Sequence, residues 1–332
     1  MQESSTWREL LGKVIQDPQE RQRIAVELGI NTATLIRWTH NESNPRPQNL
    51  HQLLNAIPNQ YRALFLELVE EEFKDFSAGR KDYLVTSESL SIPSEFYTRV
   101  FHTYGTLPKA LRFSSLCDLI LQQALEQLDP QRLGMAIIVV RLLPPSQGNK
   151  IRSLRESMGR GTSPWESNLE QYAILLGAES LAGYAVMFYH LIVNQNLREE
   201  QSRFPGYRGL GEESAAACPI ILEGNIAGSL LVSSTQPNYF LPPRLTLIER
   251  YTELIALAFE PEEFYEPERI ELGIVPPQHV QQPYLSRFQH RFLETMRQAA
   301  GNQHPISTNQ AEQMVWQQLE EQLLQVAAQL ER

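Results

Sequence analysis

The spacing of small and apolar residues between Arg21 and Trp38 constrains the fold more tightly than any other feature of this 332-residue chain. Ala25 is small enough for two helices to cross closely beside it, and Gly29, four residues on, permits a tight left-handed turn. Ile24, Leu28, Ile30, Leu35 and Trp38 then supply a small core that holds both helices at a fixed angle. Local punctuation agrees. Thr6 and Glu9 have capping-box spacing, and Trp7, Leu10, Leu11 and Val14 follow on one helical face. Asp17-Pro18 with Glu20 starts a second helix that runs to Leu28. Asn31 caps a third, which ends among His40, Asn41, Glu42, Ser43 and Asn44, ahead of Pro45 and Pro47. Two more helices are expected over residues 49–56 and 59–73.

If Leu35 and Trp38 face inward, helical geometry places Thr32, Ala33, Ile36, Arg37 and His40 on the opposite stripe. The whole Ala-x3-Gly-x5-Leu-x2-Trp pattern resembles the helix-turn-helix of the Cro/XRE-type repressor family, over about residues 5–60. One departure stands at its end, where Thr39-His40-Asn41 replace the Glu and Gly that often follow the Trp. The resemblance implies double-stranded DNA as partner, with the third helix in the major groove. Arg37 then suits bidentate guanine contact, and Ala33 or Ile36 a thymine methyl, with His40 completing the stripe. Asn31 and Thr32 at the helix start, and Arg46 from the following loop, suit phosphate contact. A helical interaction module with a merely solvated polar face is the alternative.

Charge sharpens this expectation. The chain carries a formal −10, yet residues 1–60 hold six Lys/Arg against six Asp/Glu. The acidity lies later, as in Glu70-Glu71-Glu72 and between Glu260 and Glu268, which argues against indiscriminate coating of nucleic acid. A small specific reader remains compatible with it. No apolar run reaches the roughly 18 residues of a membrane span, and the start lacks a signal-peptide layout, so a cytoplasmic protein without membrane contact is expected. Two distant cysteines rule out a disulfide framework and give no metal-binding spacing.

Residues 76–92 read as a linker, and the sequence beyond it alternates helix and strand. Helices are expected over 94–104, 113–128 and 244–259, and strands over 135–143, 191–193, 217–222 and 226–233. The last two strands are joined by Glu223-Gly224-Asn225, which suits a hairpin. Ala178 to Val186, the run Ser214 to Ile221 and the run Gly224 to Val232 resemble, in order, segments of the GAF family of sensory domains. The expected architecture is therefore multidomain. An all-α helix-turn-helix domain (1–75) and linker (76–92) precede an α/β (α+β) GAF-like domain with an antiparallel sheet (93–261). A helical C-terminal extension (262–332) follows.

The resemblance implies ligand sensing or dimerisation, with a pocket between one sheet face and covering irregular segments at about 144–214. Arg155, Trp165, Tyr184, His190 and Asn194 are its candidate ligand-binding residues. The stretch Gly159 to Trp165 is cationic and aromatic-ended, which suits an anionic or nucleotide-like small molecule, although glycine with proline more often marks a plain surface loop. His190 has no second ligand at metal spacing, and Cys218 reads as a small buried hydrophobe, so no metal is expected. No nucleophile elbow, P-loop or zinc-protease motif occurs, so no enzyme is expected. Trp316, Leu319, Leu323, Val326 and Leu330 recur at 3, 4, 3, 4 spacing, and this seam packs either on the GAF-like core or on a second subunit. Two readings follow. One is a ligand-responsive regulator that binds its operator as a homodimer. The other is a dimeric interaction scaffold whose GAF-like domain binds protein and no metabolite.

Overall fold

Thr6 accepts a hydrogen bond from the Glu9 amide through Oγ1 (3.2 Å) and so opens helix α1 (Trp7–Val14). Asp17 does the same for α2 (Pro18–Glu27) by accepting from the Gln19 amide, and Asn31 for α3 (Thr32–Thr39) by accepting from Ala33 (3.0 Å). The computed structural model describes residues 6–28, 30–45, 91–145, 148, 150–169, 174–197, 211–301 and 306–330, with scattered positions between 49 and 72. The chain divides into two compact units, residues 1–88 and 89–332.

The first unit is held by Trp7, Leu10, Leu11, Ile24, Leu35 and Trp38, joined by Leu53, Ile57 and Phe65. Each described position from 49 to 72 is helical apart from Ile57 and Pro58. Trp7 meets Phe65 edge to face at 6.0 Å between centroids. Arg8 is buried at its side: its guanidinium lies 4.3 Å from the Trp7 ring centroid and donates to the Trp38 carbonyl (2.7 Å) and Asn44 Oδ1 (2.6 Å). One arginine thereby ties α1 to the end of α3. Residues 76–90 of the expected linker lie outside the described residues, and Ile92 already belongs to the core of the second unit.

The second unit is built on one six-stranded antiparallel sheet of order β3-β2-β1-β6-β5-β4. Its strands are β1 (Met135–Leu142), β2 (Leu154–Gly161), β3 (Leu175–Leu176), β4 (Ile192–Asn194), β5 (Ser214–Leu222) and β6 (Asn225–Ser234). Leu222 pairs with Asn225, so the β5–β6 turn is only Glu223-Gly224, both at positive φ (52° and 82°). That is the twist a two-residue hairpin demands, and Asn225 belongs to the strand instead of the turn.

The two sheet faces are covered differently. Met135, Ile137, Val139, Cys218, Leu230 and Val232 pack on α4 (Ser94–Thr106), α5 (Lys109–Leu128) and α7 (Pro242–Ala256). Ile138, Val140, Ala215, Ala217 and Leu231 pack on α6 (Leu181–Phe188). Strand β2 corrects the expectation of irregular covering segments throughout 144–214. Leu154–Gly161 is an inner strand between β3 and β1, and Gly161 is needed there because a Cβ would stand 2.6 Å from the Glu166 carbonyl oxygen.

At the β3 edge the chain continues through α8 (Gln278–Leu285), α9 (Phe288–Gly301) and α10 (Thr308–Leu330). Leu143 and Leu175 of the sheet region share one core with Val315, Trp316, Leu319 and Leu323 of α10. Ser153 donates to buried Glu320 (2.6 Å), and the Gln281 side chain brackets the Leu175 backbone, accepting at 2.9 Å and donating at 2.8 Å. The 3-4 seam therefore packs within the chain as far as Leu323, while Leu330 is 64 % exposed. No helix among the described residues is long and apolar enough to cross a membrane.

Candidate functional site

In the first unit α3 sorts its side chains as its sequence implies. Leu35 and Trp38 are buried, while Ala33, Ile36, Arg37 and His40 are exposed, with Asn31 exposed at the cap and Thr32 half-buried. Arg46 lies outside the described residues. Arg37 reaches Thr34 Oγ1 at 3.3 Å, and His40 Nδ1 lies 2.8 Å from the Ile36 carbonyl, which holds the ring against the helix end. Beside this stripe, Lys13 of α1 and Arg21 of α2 line a concave surface of about 820 Å³ together with Ile36, Thr39 and His40. Cationic side chains from two helices thus flank the exposed edge of a third.

In the second unit the five candidate ligand residues do not converge. Arg155 turns toward the C-terminal helices, where it pairs with Glu312 (2.6 Å) and lies 4.8 Å from the Trp316 ring centroid. Trp165 packs over Gly161, its Cβ only 2.7 Å from where a Cβ there would stand. Tyr184 and His190 flank Phe188, at centroid distances of 5.6 and 6.2 Å, and His190 is exposed. Asn194 is buried under α6, with Oδ1 accepting from the Asn196 amide and Nδ2 unpartnered among the described residues.

The face under α6 is filled by Ile138, Val140, Leu142, Leu154, Leu176 and Leu231, and the cavity left against α6 measures about 20 Å³. The roomy concave pocket expected here is thus not found among the described residues. A larger groove, about 1060 Å³, lies on the opposite face between α5, strands β1 and β2 and the C-terminal helices. Arg155 lines it, as do Arg141 and Lys109, but these three pair with Glu312, Glu263 and Glu260. Its cations are thus already neutralised, which does not favour an anionic guest.

Sequence reasoning missed Glu156. Its side chain is buried on the α6 face, and among the described residues Oε1 has no hydrogen-bond partner. Burial, and secondarily the charge of Glu212, push its pKa up to about 8. Ser229 Oγ, buried on the same face, is likewise unpartnered. Both cysteines are buried, and burial pushes the Cys218 thiol up to about 11.

The sequence of residues 110–260 matches the GAF domain family. Among curated proteins none matches the chain. Similar solved structures include the GAF domain of an Acinetobacter phosphoenolpyruvate-protein phosphotransferase, 14% identical, spanning 49% of this chain and 90% of that one (TM-score 0.35). A type II free methionine-R-sulfoxide reductase from Thermoplasma acidophilum is 14% identical over 48% of this chain and 98% of its own (TM-score 0.34). The GAF domain of a Bacillus halodurans two-component sensor histidine kinase is 18% identical over 44% and 95% (TM-score 0.31). Sheet, covering helices and family match agree: residues 110–260 of this chain are a GAF domain, of a family of small-ligand sensory and regulatory domains.

Proposed function

We propose that the chain is a sequence-specific DNA-binding transcriptional regulator, acting as a homodimer, whose GAF domain responds to a small ligand and which catalyses no reaction. The observation that carries the DNA reading is α3. It exposes Ala33, Ile36, Arg37 and His40 while Leu35 and Trp38 anchor it, and Lys13 and Arg21 flank that exposed edge. Side chains on such a stripe reach base edges, and flanking cations meet the phosphates. Selection of bound sequences from a random duplex library by the full chain tests this. A recurrent motif is expected, with affinity that falls as salt rises. A Lys13→Ala/Arg21→Ala double variant should lower the salt slope by about 2. Absence of any enriched motif overturns the reading.

The filled α6 face favours the second reading, a scaffold whose GAF domain binds protein alone. Mass spectrometry of the chain released from purification separates the two: a bound metabolite supports sensing.

A further inference from the structure

Neighbouring strands supply two cations to the groove between α5, the sheet and the C-terminal helices. Arg141 of β1 and Arg155 of β2 are direct cross-strand partners, and both line it. Like charges so placed repel each other across about 5 Å, and each is offset by a carboxylate of its own, Glu263 for Arg141 and Glu312 for Arg155. Each guanidinium also lies beside aromatic rings. Arg141 stands 4.2 Å from the Phe113 ring centroid and 5.6 Å from that of Phe259, and these two rings meet edge to face at 5.3 Å. Arg155 stands 4.8 Å from the Trp316 ring centroid, which lies 4.9 Å from that of Phe288. All four rings line the groove. One ring pair, from α5 and the segment after α7, thus stands at Arg141, and the other, from α9 and α10, at Arg155.

We infer that this groove is the ligand site of the GAF domain, and that its guest is an uncharged aromatic molecule bearing a carbonyl oxygen, such as an aryl amide. The inference rests on the sensory reading and moves its site away from the filled α6 face. A volume of about 1060 Å³ stands at the upper end of small-molecule sites, which span roughly 300–1,000 Å³. Two ring pairs suit a flat apolar body, because offset and edge-to-face aromatic contacts add to its burial. Charge then selects among such bodies. Among the described residues, four carboxylates and three cations line the groove, and the cations are paired. An anion is repelled by the carboxylates and a cation by the guanidiniums, whereas a guest without net charge meets neither penalty. The pairing still leaves donors to use. A guanidinium carries five N–H donors, and among the described residues Arg141 and Arg155 each hydrogen-bond one carboxylate. A carbonyl oxygen has two lone pairs, so one such oxygen can accept from both arginines where they stand opposite each other.

Calorimetry of the full chain with naphthamide tests the inference, with naphthoate as the anion, naphthylmethylamine as the cation and cyclohexanecarboxamide as the saturated amide. Naphthamide should bind at least about tenfold more tightly than each of the other three. Phe113→Leu keeps an apolar side chain but removes a ring, and should weaken naphthamide binding by up to about tenfold. Ser114→Trp, at an exposed helix position lining the groove, should block binding with the unfolding transition unchanged. Naphthamide binding that survives both variants undiminished removes the groove as the site. Any of the other three probes binding as tightly as naphthamide overturns the ligand class. Failure of all four probes overturns it too. In that event a compound from cell extract, found on the chain by native mass spectrometry, leaves the sensory reading standing, and the absence of any such compound removes that reading as well.

Discussion

Arg37 is exposed on α3, and its guanidinium donates to a neutral hydroxyl, Thr34 Oγ1. A guanidinium so placed keeps its fork of donors for a base edge. Arg37→Ala is therefore expected to weaken specific binding by about 1–3 kcal/mol and to relax preference at one base pair. Fluorescence anisotropy against the selected duplex and its single-base variants, at one stated salt concentration, checks this. Unchanged affinity and preference would take Arg37 off the reading surface. Glu156 supplies a second measurement. Its folded pKa is raised, so the unfolded chain releases a proton that the folded chain keeps. Its contribution to stability therefore falls as pH rises from about 4.5 to about 8. Relative to wild type, Glu156→Gln should become progressively stabilising across that window, by on the order of 5 kcal/mol at its upper end. Urea unfolding of both chains from pH 5 to 9 reads the difference, and a constant gap would show that Glu156 does not titrate there. The two residues differ in legibility for a physical reason. The helical period alone turns Arg37 outward once Leu35 and Trp38 are inward. Glu156 follows Arg155 in what reads as a solvated charged stretch, and only its neighbours across the sheet make it buried.

The same division holds among whole elements. The β5–β6 hairpin was legible because two apolar runs flank a turn whose glycine adopts positive φ. Strand β2 was not, since Leu154–Gly161 reads Leu-Arg-Glu-Ser-Met-Gly-Arg-Gly, with two large apolar side chains, two glycines and three charges. Its arginines are neutralised by carboxylates on other elements, which no local pattern reveals. Helix α10 shows a third case, in which the spacing announced an apolar stripe but not what it would pack on. The structure puts Leu319 and Leu323 against Leu143 and Leu175. Leu319→Ala is accordingly expected to destabilise the second unit by about 2–5 kcal/mol, whereas Leu330→Ala, at a 64 % exposed position, should stay within about 0.5 kcal/mol. Denaturant unfolding of the two variants checks the contrast. Equal, small effects would place the seam outside the core of this unit.

Across the whole molecule the acidity and the DNA reading are reconciled by location. The formal −10 is spread over 332 residues, whereas the candidate reading surface gathers Lys13, Arg21, Arg37 and His40 on three short helices. One such module spans few base pairs, and regulators of this kind gain affinity and specificity by placing two on half-sites one helical turn, or a multiple of it, apart. The full chain is therefore expected to sediment at twice its 38.1 kDa mass at micromolar concentration, and its selected DNA motif to be an inverted repeat. Trp316, Leu319 and Leu323 are consumed within the chain, so they cannot also supply the dimer contact without unpacking. Removal of residues 308–332 should consequently appear first as loss of cooperative unfolding, because it strips the cover from Leu143 and Leu175. Loss of dimerisation from that truncated chain with its unfolding transition intact would return the seam to the subunit interface. A monomer for the intact chain, both free and on a motif without dyad symmetry, would remove the dimer altogether. Recognition would then rest on α3 alone, and a ligand in the GAF domain would have to act within one chain, with no spacing between two subunits to change.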